Sequence, residues 1–563
     1  MRIGHFANIA ALAASLFVAA ACKKEGGDKN EPAKAEENKA AAAKLTAPAL
    51  FAYIPADTPY AFAAFDPLPA SYWDAVGGAV KPELEKLLDQ MMQMQGSDPG
   101  QKFALGLARE FRGNLSAAGL KKSFGISADK RWALYGVGII PVFRLELADG
   151  KALRGTIDRI SKESAFTLPT ATAGKTSYYR FEDGDVLVVL VILDDQVVVS
   201  GGPKALVEQA MPFILGEKKP EPSMADGGAL KEVTARHGFA SYGSGFVDSA
   251  KVLKVLMMAD LMKSATGGGG MPESCKPELD ALSKKFPRVA FGYDEVSPTR
   301  AAMRLVLEME PALIARMKEL EVDVPGIAGG KLADRALIAF GGGIDIAKAK
   351  AVALDFADGM ARFGTACGAS DMVSSAGEMK EGLSQPLPPV AEGIKGGVVA
   401  LLSAELAGGR PSNVAGYAYV VTDNPGALVD MASAQLAALG NAPKIEKDGK
   451  FHDVVPAGAI PGLEAVKAAV KDKAVVVATG AKGTEAAERA LAAKGKAPLI
   501  FLSYDYGRLL KMGGDVMAQM GGSMPGMNER MAQLFGLAAV WAHVSDQGLA
   551  VSLTMEMQPQ SGP

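Results

Sequence analysis

Residues 472–491, DKAVVVATGAKGTEAAERAL, decide the fold because they repeat a pattern that already occurs at residues 195–211, DQVVVSGGPKALVEQAM. Each stretch contains a run of valines, a turn of small residues and an alanine-containing segment with apolar residues at helical spacing. Valine runs favour a strand, and the 3.6-residue spacing favours an amphipathic helix. The sequence therefore predicts the same strand–turn–helix unit in both halves of a 563-residue chain.

Further segments repeat in the same order along the chain. Residues 239–256 match residues 501–512, and both contain Ser-Tyr before a lysine-bearing helix. Residues 293–311 match residues 541–559 without a gap. Several matches in one order indicate an internal duplication of the whole body.

We predict two tandem lobes, at residues 46–313 and 320–557, joined by a Pro- and Gly-containing connector, VDVPGIAGGK. Within the first lobe, residues 143–147 alternate between apolar and charged side chains, as a strand does. Residues 288–310 and 537–557 each predict a hairpin with a short turn, and hairpins pair antiparallel. The predicted fold class is α+β, with two copies of a mixed helix and antiparallel-sheet lobe related by a pseudo-two-fold axis.

The first 21 residues have the three zones of a secretory signal peptide. Arg2 supplies the positive charge, residues 9–18 form a short apolar stretch, and Ala19, Ala20 and Ala21 are small residues before Cys22. This arrangement resembles the lipobox of bacterial lipoproteins, with Ala19 where leucine is usual. The resemblance implies cleavage before Cys22, attachment of lipid to its thiol and anchoring of the protein to a membrane.

The next residues, 22–45, are predicted to form a disordered polar tether. Residues 23–44 contain neither aromatic nor branched aliphatic side chains, so they offer little apolar surface to bury. Lys23 stands where inner-membrane lipoproteins of enterobacteria carry aspartate. By that resemblance, we expect a lipid-anchored protein of the bacterial cell envelope, at the outer membrane rather than the inner membrane.

Composition excludes some classes of function. The net charge is −3 and no long basic run follows the tether, so we predict no nucleic-acid partner. Hydrophobic residues make up 49% and charged residues 22%, which is typical of a folded soluble body. The membrane attachment that the sequence predicts is the N-terminal lipid on Cys22.

Cysteine and histidine patterns give few candidates for chemistry. With Cys22 used for lipid, Cys275 and Cys367 are either a disulfide, as an oxidising compartment allows, or two free thiols. The histidines lie far apart and no zinc-binding spacing occurs, so we predict neither a metal site nor a cofactor. Ser244 lacks the first glycine of a nucleophile elbow, and its interpretation is a helix-entry turn.

Methionine is unusually abundant in this chain, with 25 residues. Thioether side chains adapt well to apolar ligands, although they also fill ordinary cores. Two clusters fall on corresponding predicted helices of the two lobes. The candidate residues of an apolar groove are Met257, Met258, Met262, Met512, Met517 and Met520.

Three hypotheses of function follow. The first is a non-enzymatic envelope protein that binds an apolar ligand or an envelope protein partner. The second is an envelope enzyme whose site is dispersed in sequence, with Asp66, Asp248 and Asp505 as candidate carboxylates, although aspartate at these positions is typical of helix caps. The third is a structural surface scaffold. The opening of the first lobe, FAYIPADTPYAFAAF, resembles uncharacterised exported bacterial proteins and implies no activity.

Overall fold

The computed structural model describes residues 31–69, 81, 84–85, 88–89, 92, 98–258, 272–297, 299–407, 410–438, 445–460, 462–519 and 535–557. The protein has an α+β fold in which the paired strands of the sheets run antiparallel. The chain divides into two compact units. Unit 1 is Met1–Ala265 with Arg288–Met303, and unit 2 is Thr266–Pro287 with Arg304–Pro563.

Nine of the described strands lie wholly in unit 1. They are β1 (Tyr60–Ala63), β2 (Trp132–Val137), β3 (Ile140–Glu146), β4 (Thr170–Ala173), β5 (Thr176–Asp183), β6 (Val186–Ile192), β7 (Gln196–Pro203), β8 (Ser244–Asp248) and β9 (Arg288–Ser297). Their order in the sheet is β4-β5-β6-β7-β3-β2-β1-β8-β9. Strand β10 (Arg300–Glu308) follows β9 in a hairpin, and the division between the units falls within it.

Unit 2 contributes nine more strands. They are β11 (Ile338–Gly343), β12 (Ile394–Ala407), β13 (Arg410–Thr422), β14 (His452–Val455), β15 (Val466–Lys471), β16 (Ala474–Thr479), β17 (Ile500–Asp505), β18 (Phe535–Ser545) and β19 (Gly548–Met557). Their order in the sheet is β14-β15-β16-β13-β12-β11-β17-β18-β19. The hairpin of β18 and β19 confirms the one predicted at residues 537–557.

Helices connect the strands in both units. The described helices of unit 1 are α1 (Glu31–Ala43), α2 (Pro99–Gly113), α3 (Ala117–Phe124), α4 (Gly150–Glu163), α5 (Lys204–Ile214), α6 (Met224–Gly227), α7 (Ala229–His237) and α8 (Ser249–Met258). Those of unit 2 are α9 (Cys275–Lys285), α10 (Pro311–Lys318), α11 (Ile346–Cys367), α12 (Ser370–Ser384), α13 (Pro389–Glu392), α14 (Pro425–Ala438), α15 (Gly480–Ala492) and α16 (Tyr506–Gln519). None of these helices is both long and apolar enough to cross a membrane.

The strand–turn–helix unit predicted at residues 195–211 and 472–491 is confirmed in both places. Strand β7 leads into α5, and β16 leads into α15. Helix α15 buries a stripe of small residues against β13, and a side chain on Gly483 would lie 2.3 Å from the carbonyl oxygen of Gly416. Glycine and alanine on this face therefore allow the helix to pack directly onto the strand.

Residues 272–287 belong to unit 2, whereas the sequence repeats placed them in the first lobe. A disulfide joins Cys275, in α9, to Cys367, at the end of α11. The two cysteines are separated by 92 residues, so the bond closes a long loop and restricts the unfolded chain. This covalent link holds α9 within unit 2.

The structure differs from the predicted disordered tether over residues 31–43, which form α1. Alanine, glutamate and lysine have high helix propensity, and the helix docks on unit 1 instead of remaining free. The Asn38 amide donates hydrogen bonds to the carbonyls of Gly238 (3.0 Å) and Asp294 (2.9 Å), and Ala42 is buried. Tertiary hydrogen bonds thus order a segment whose composition indicates disorder.

Arg144 lies on the charged side of the predicted alternation in β3, yet its side chain is fully buried. Its guanidinium donates to the hydroxyl of Tyr135 (2.8 Å), the side-chain oxygen of Gln196 (3.1 Å) and the carbonyls of Phe213 and Ile214 (2.8 Å each). These carbonyls end α5, where the helix dipole is negative. The C-terminus of α5 therefore stabilises a cation inside the core of unit 1.

We expect Arg144→Met to lower the free energy of unfolding by about 3–5 kcal/mol, because several buried acceptors lose their donor. Arg159→Met is the matched control, since Arg159 is partly exposed on α4 and pairs with Glu110 and Glu163. A surface ion pair contributes about 0–1 kcal/mol. Chemical denaturation of both variants measures the difference, and equal losses would contradict a structural role for Arg144.

Candidate functional site

One face of the unit 2 sheet carries an exposed apolar surface. The strand register places one side chain from each of seven neighbouring strands in a single line across the sheet. We call this set the apolar line: Val477, Ala418, Val399, Phe340, Leu502, Val540 and Leu553. Successive residues are direct cross-strand partners, so their side chains are neighbours on one face.

The line is exposed although it is apolar. The exposed fractions of Phe340 and Val399 are 58% and 59%, and that of Ile500 on the same face is 56%. The residues that alternate with them, such as Ala339 and Val398, are buried in the core on the opposite face. An antiparallel sheet usually has polar residues on its solvent face, so a sheet that is apolar on both faces is unusual for a surface in water.

Residues two positions along each strand extend this surface. The apolar face consists of the apolar line together with Ile338, Gly342, Gly397, Leu401, Val420, Val475, Ile500, Ala542 and Val551, and the polar residues Thr479 and Tyr504 lie at one margin of it. Gly342 and Gly397 are direct partners beside Phe340 and Val399. A side chain at Gly342 would meet the Leu499 carbonyl at 2.4 Å, and one at Gly397 would meet the Tyr419 carbonyl at 2.4 Å. The backbone therefore keeps a bare strip next to the two most exposed side chains of the line.

Unit 1 has a comparable line on its own sheet, and helices cover more of it. In strand order the residues are Thr170, Tyr179, Leu190, Val199, Phe143, Leu134, Phe62, Gly245 and Phe291. Phe62 packs against Trp132 and Phe291, with ring centroids 4.6 and 5.2 Å apart. Phe103 of α2 and Ile160 of α4 are buried in the cluster that includes Phe143 and Leu190. The corresponding surface of unit 1 is thus largely packed.

The predicted methionine groove remains a prediction. Met262 and Met520 lie outside the described residues. Met257, Met258 and Met517 lie in α8 and α16, but their side chains are outside the described part of the structure. Met512 is half-buried on α16, which packs against β18. Cys22 also lies outside the described residues, so its lipidation stays a prediction.

Two of the three candidate carboxylates, Asp248 and Asp505, and the candidate serine have structural roles, whereas Asp66 follows β1 and its backbone amide donates to the Ser241 carbonyl. Asp248 and Asp505 accept hydrogen bonds from the backbone amides of Lys251 and Arg508, as helix-capping residues do. Asp505 is buried and also pairs with Arg335. Ser244 is the first residue of β8, not a helix-entry residue, and its buried hydroxyl lies 2.6 Å from that of Thr234.

One group of side chains among the described residues has the composition of a metal site. Glu446, Asp448 and His452 bring their ligand atoms within 4.8 Å of one another. The two carboxylates are exposed, and His452 Nε2 lies 2.8 Å from Asp448 Oδ1, which lowers the pKa of Asp448. A surface hydrogen bond between His452 and Asp448 accounts for this contact, and we assign the group no role. The sequence prediction had no signal for it, because Glu446, Asp448 and His452 have no metal-binding spacing.

Comparison of the chain with protein-family models, with curated proteins and with solved structures finds no match. The role of the apolar face is therefore inferred from its own residues, their exposure and their register. Those residues offer hydrocarbon surface and include no side chain that transfers a proton, ligates a metal or acts as a nucleophile.

We expect an environment-sensitive naphthalene dye to bind the native protein and Phe340→Asp to weaken this binding at least tenfold, because a carboxylate in the line must be desolvated. Phe356→Asp is the matched control: Phe356 is equally exposed, at 59%, but lies on α11. Dye titration monitored by fluorescence, with thermal unfolding to verify folding, measures the effect. Equal binding by both variants would show that the dye does not use the apolar face.

Proposed function

We propose that this protein is a lipid-anchored component of the bacterial cell envelope that binds an apolar ligand on the apolar face of unit 2. The observation that carries the proposal is the apolar line, in which Phe340 and Val399 are each more than half exposed. Contiguous exposed apolar surface is uncommon on soluble proteins and marks ligand-binding, protein-binding or membrane-binding sites. Binding removes this surface from water, and that release of water drives association.

The chemistry of the face favours binding over catalysis. Acid–base and nucleophilic catalysis need polar groups placed next to the reacting atoms. The apolar face has none, and the capping contacts of Asp248 and Asp505 account for those carboxylates. A non-enzymatic binding role is consistent with both findings.

The proposed anchor explains why an apolar ligand would be available. A lipid on Cys22 would keep the folded body at a membrane surface, where lipids are the abundant apolar molecules. Because α1 begins at Glu31 and contacts unit 1 through Asn38, about eight residues, 23–30, separate the proposed anchor from the helix. Eight residues reach at most about 28 Å when fully extended. A short connection of this kind would hold unit 1 close to the membrane, and Lys23 favours the outer membrane.

We also infer that the two units arose by duplication and are related by a pseudo-two-fold axis. The sheet order β5-β6-β7-β3-β2-β1-β8-β9 in unit 1 parallels β14-β15-β16-β13-β12-β11-β17-β18 in unit 2. The helices α5 and α15 follow equivalent strands, as the repeated sequences require. Such matching order supports duplication, and on this interpretation the apolar line of unit 2 is the more accessible of two related surfaces.

Native mass spectrometry of the chain beginning at residue 23, secreted into a Gram-negative periplasm, tests the binding proposal. We expect a co-purified species of low molecular mass that is soluble in organic solvent. The double variant Phe340→Asp/Val399→Asp should lose it, because two charges interrupt adjacent strands of the line, whereas Phe356→Asp should retain it. Ligand-free wild-type protein, or retention by the double variant, would contradict binding at this face.

Cys22→Ala in the full-length chain tests the anchor. We expect the wild type to fractionate with membranes and to incorporate a labelled fatty acid, and the variant to appear in the soluble fraction without label. A single acyl chain binds membranes only marginally, so stable anchoring requires the multiple acylation that the lipobox implies. Membrane recovery of an unlabelled variant would contradict attachment through Cys22.

A further inference from the structure

We infer that α1 is a releasable strap that sets how far unit 1 can move from the membrane. This inference rests on the proposed lipid anchor at Cys22 and adds a control of reach to it. Three features support it: the position of α1 in the chain, the few side chains that hold the helix, and the open cleft beside it.

Helix α1 lies between the proposed anchor and the first residues that are fixed in the core of unit 1. After α1, residues 44–48 lead into a short 3₁₀ helix, Ala49–Tyr53. Leu50 and Phe51 of this helix are each 1% exposed and belong to the core of unit 1. A force that draws unit 1 away from the membrane therefore acts on α1 before it acts on the core.

Few side chains hold α1 in place. The helix lies along α7, and among its described side chains only Ala42 is buried. Asn38 supplies the two hydrogen bonds to unit 1 described above, and the Lys231 ammonium donates to the Leu45 carbonyl (2.7 Å) just after the helix. By contrast, α7 buries four of its nine residues. The docking of α1 therefore depends on a few hydrogen bonds and little apolar burial.

An open cleft of about 880 Å³ runs beside α1. Glu37, Asn38 and Ala41 line the helix side of this cleft, and Phe65 and Arg131 line the side of the folded body. Protein interiors are close-packed and leave few voids larger than a water molecule. The cleft shows that α1 does not pack closely onto unit 1 along this side, so separation there breaks few contacts.

Release of α1 would also unfold it. A 13-residue helix is too short to be stable alone in water, even when it is rich in alanine. Residues 31–49 would then join the tether, because Leu50 is the first residue fixed in the core. The connection would lengthen from eight residues to 27, and its greatest extension from about 28 Å to about 95 Å. Typical end-to-end distances of such flexible chains are about 16 Å and 29 Å.

Hydrogen exchange of the chain beginning at residue 23 tests release. Asn38→Ala removes both hydrogen bonds to unit 1, whereas the matched control Glu36→Ala removes an exposed ion pair with Lys39 on the same helix. Alanine has the highest helix propensity, so neither substitution weakens the helix itself. We expect the amides of residues 36–43 to exchange at least tenfold faster in Asn38→Ala, since two hydrogen bonds are lost. Glu36→Ala should stay within about twofold of the wild type.

The amides of β2 and β7 are the internal reference for this experiment. They should exchange at the same rate in the wild type and in both variants, and more slowly than those of α1. Equal protection of α1 and β2 in the wild type would overturn the inference, because α1 would then separate only when unit 1 unfolds. Unchanged exchange of α1 in Asn38→Ala would also overturn it.

Neutron reflectometry of the lipidated full-length chain on a supported bilayer tests the control of reach. We expect the water layer between bilayer and body to thicken by about 10 Å or more in Asn38→Ala, from the two end-to-end distances above, and to remain as in the wild type in Glu36→Ala. Faster exchange without a thicker layer would overturn the control of reach and leave the anchor intact. Absence of the wild-type chain from the bilayer would contradict the anchor and with it the control of reach, while hydrogen exchange would still decide whether α1 is released.

Discussion

The strand register of unit 2 is the constraint on which its surface depends. Side chains alternate between the two faces of a strand, so a shift by one residue would exchange the buried set with the exposed set. Strand β11 is central, because it pairs with β12 on one side and with β17 on the other. This pairing places Ala339 in the core and Phe340 on the open face. In this register, each strand of the line therefore directs alternate side chains into the core and onto the open face.

At comparable positions in the two cores, different polar side chains donate hydrogen bonds to backbone carbonyls. In unit 1, Arg144 of β3 lies opposite Val198 of β7 and donates to carbonyls at the end of α5. In unit 2, Tyr419 of β13 lies opposite Val476 of β16, and its hydroxyl donates to the Pro325 carbonyl. Both side chains satisfy backbone acceptors that would otherwise be buried without a donor. Burial raises the pKa of Tyr419, so its hydroxyl keeps the proton that it donates.

Among the described residues, helix packing explains why the apolar surface on the sheet of unit 2 is more open than that of unit 1. In unit 1, α2 and α4 cover part of the second sheet face through Phe103, Ile157 and Ile160. In unit 2, the long helices α11 and α12 pack against each other, and α9 is tied to α11 by the disulfide. Phe340 and Val399 remain exposed in the presence of these helices. The difference between the units thus arises from where helices pack, not from the sheets themselves.

The sequence by itself determined the local elements and the fold class. Valine runs followed by small residues predicted β7 with α5 and β16 with α15, and the hairpin at residues 537–557 followed from its two apolar runs and short turn. Those features depend on residues close in sequence. The valine run at residues 475–477 is apolar at every position, which was a signal that both sheet faces are apolar, but it could not tell which face is covered.

Only the tertiary structure decided which surfaces are exposed and which polar groups are buried. The burial of Arg144, the docking of α1 through Asn38 and the disulfide between Cys275 and Cys367 all require partners at least 50 residues away. The exposure of Phe340 depends on helices that pack elsewhere. Whether a residue is exposed depends on every segment of the chain that could cover it, so a local sequence pattern cannot predict its exposure.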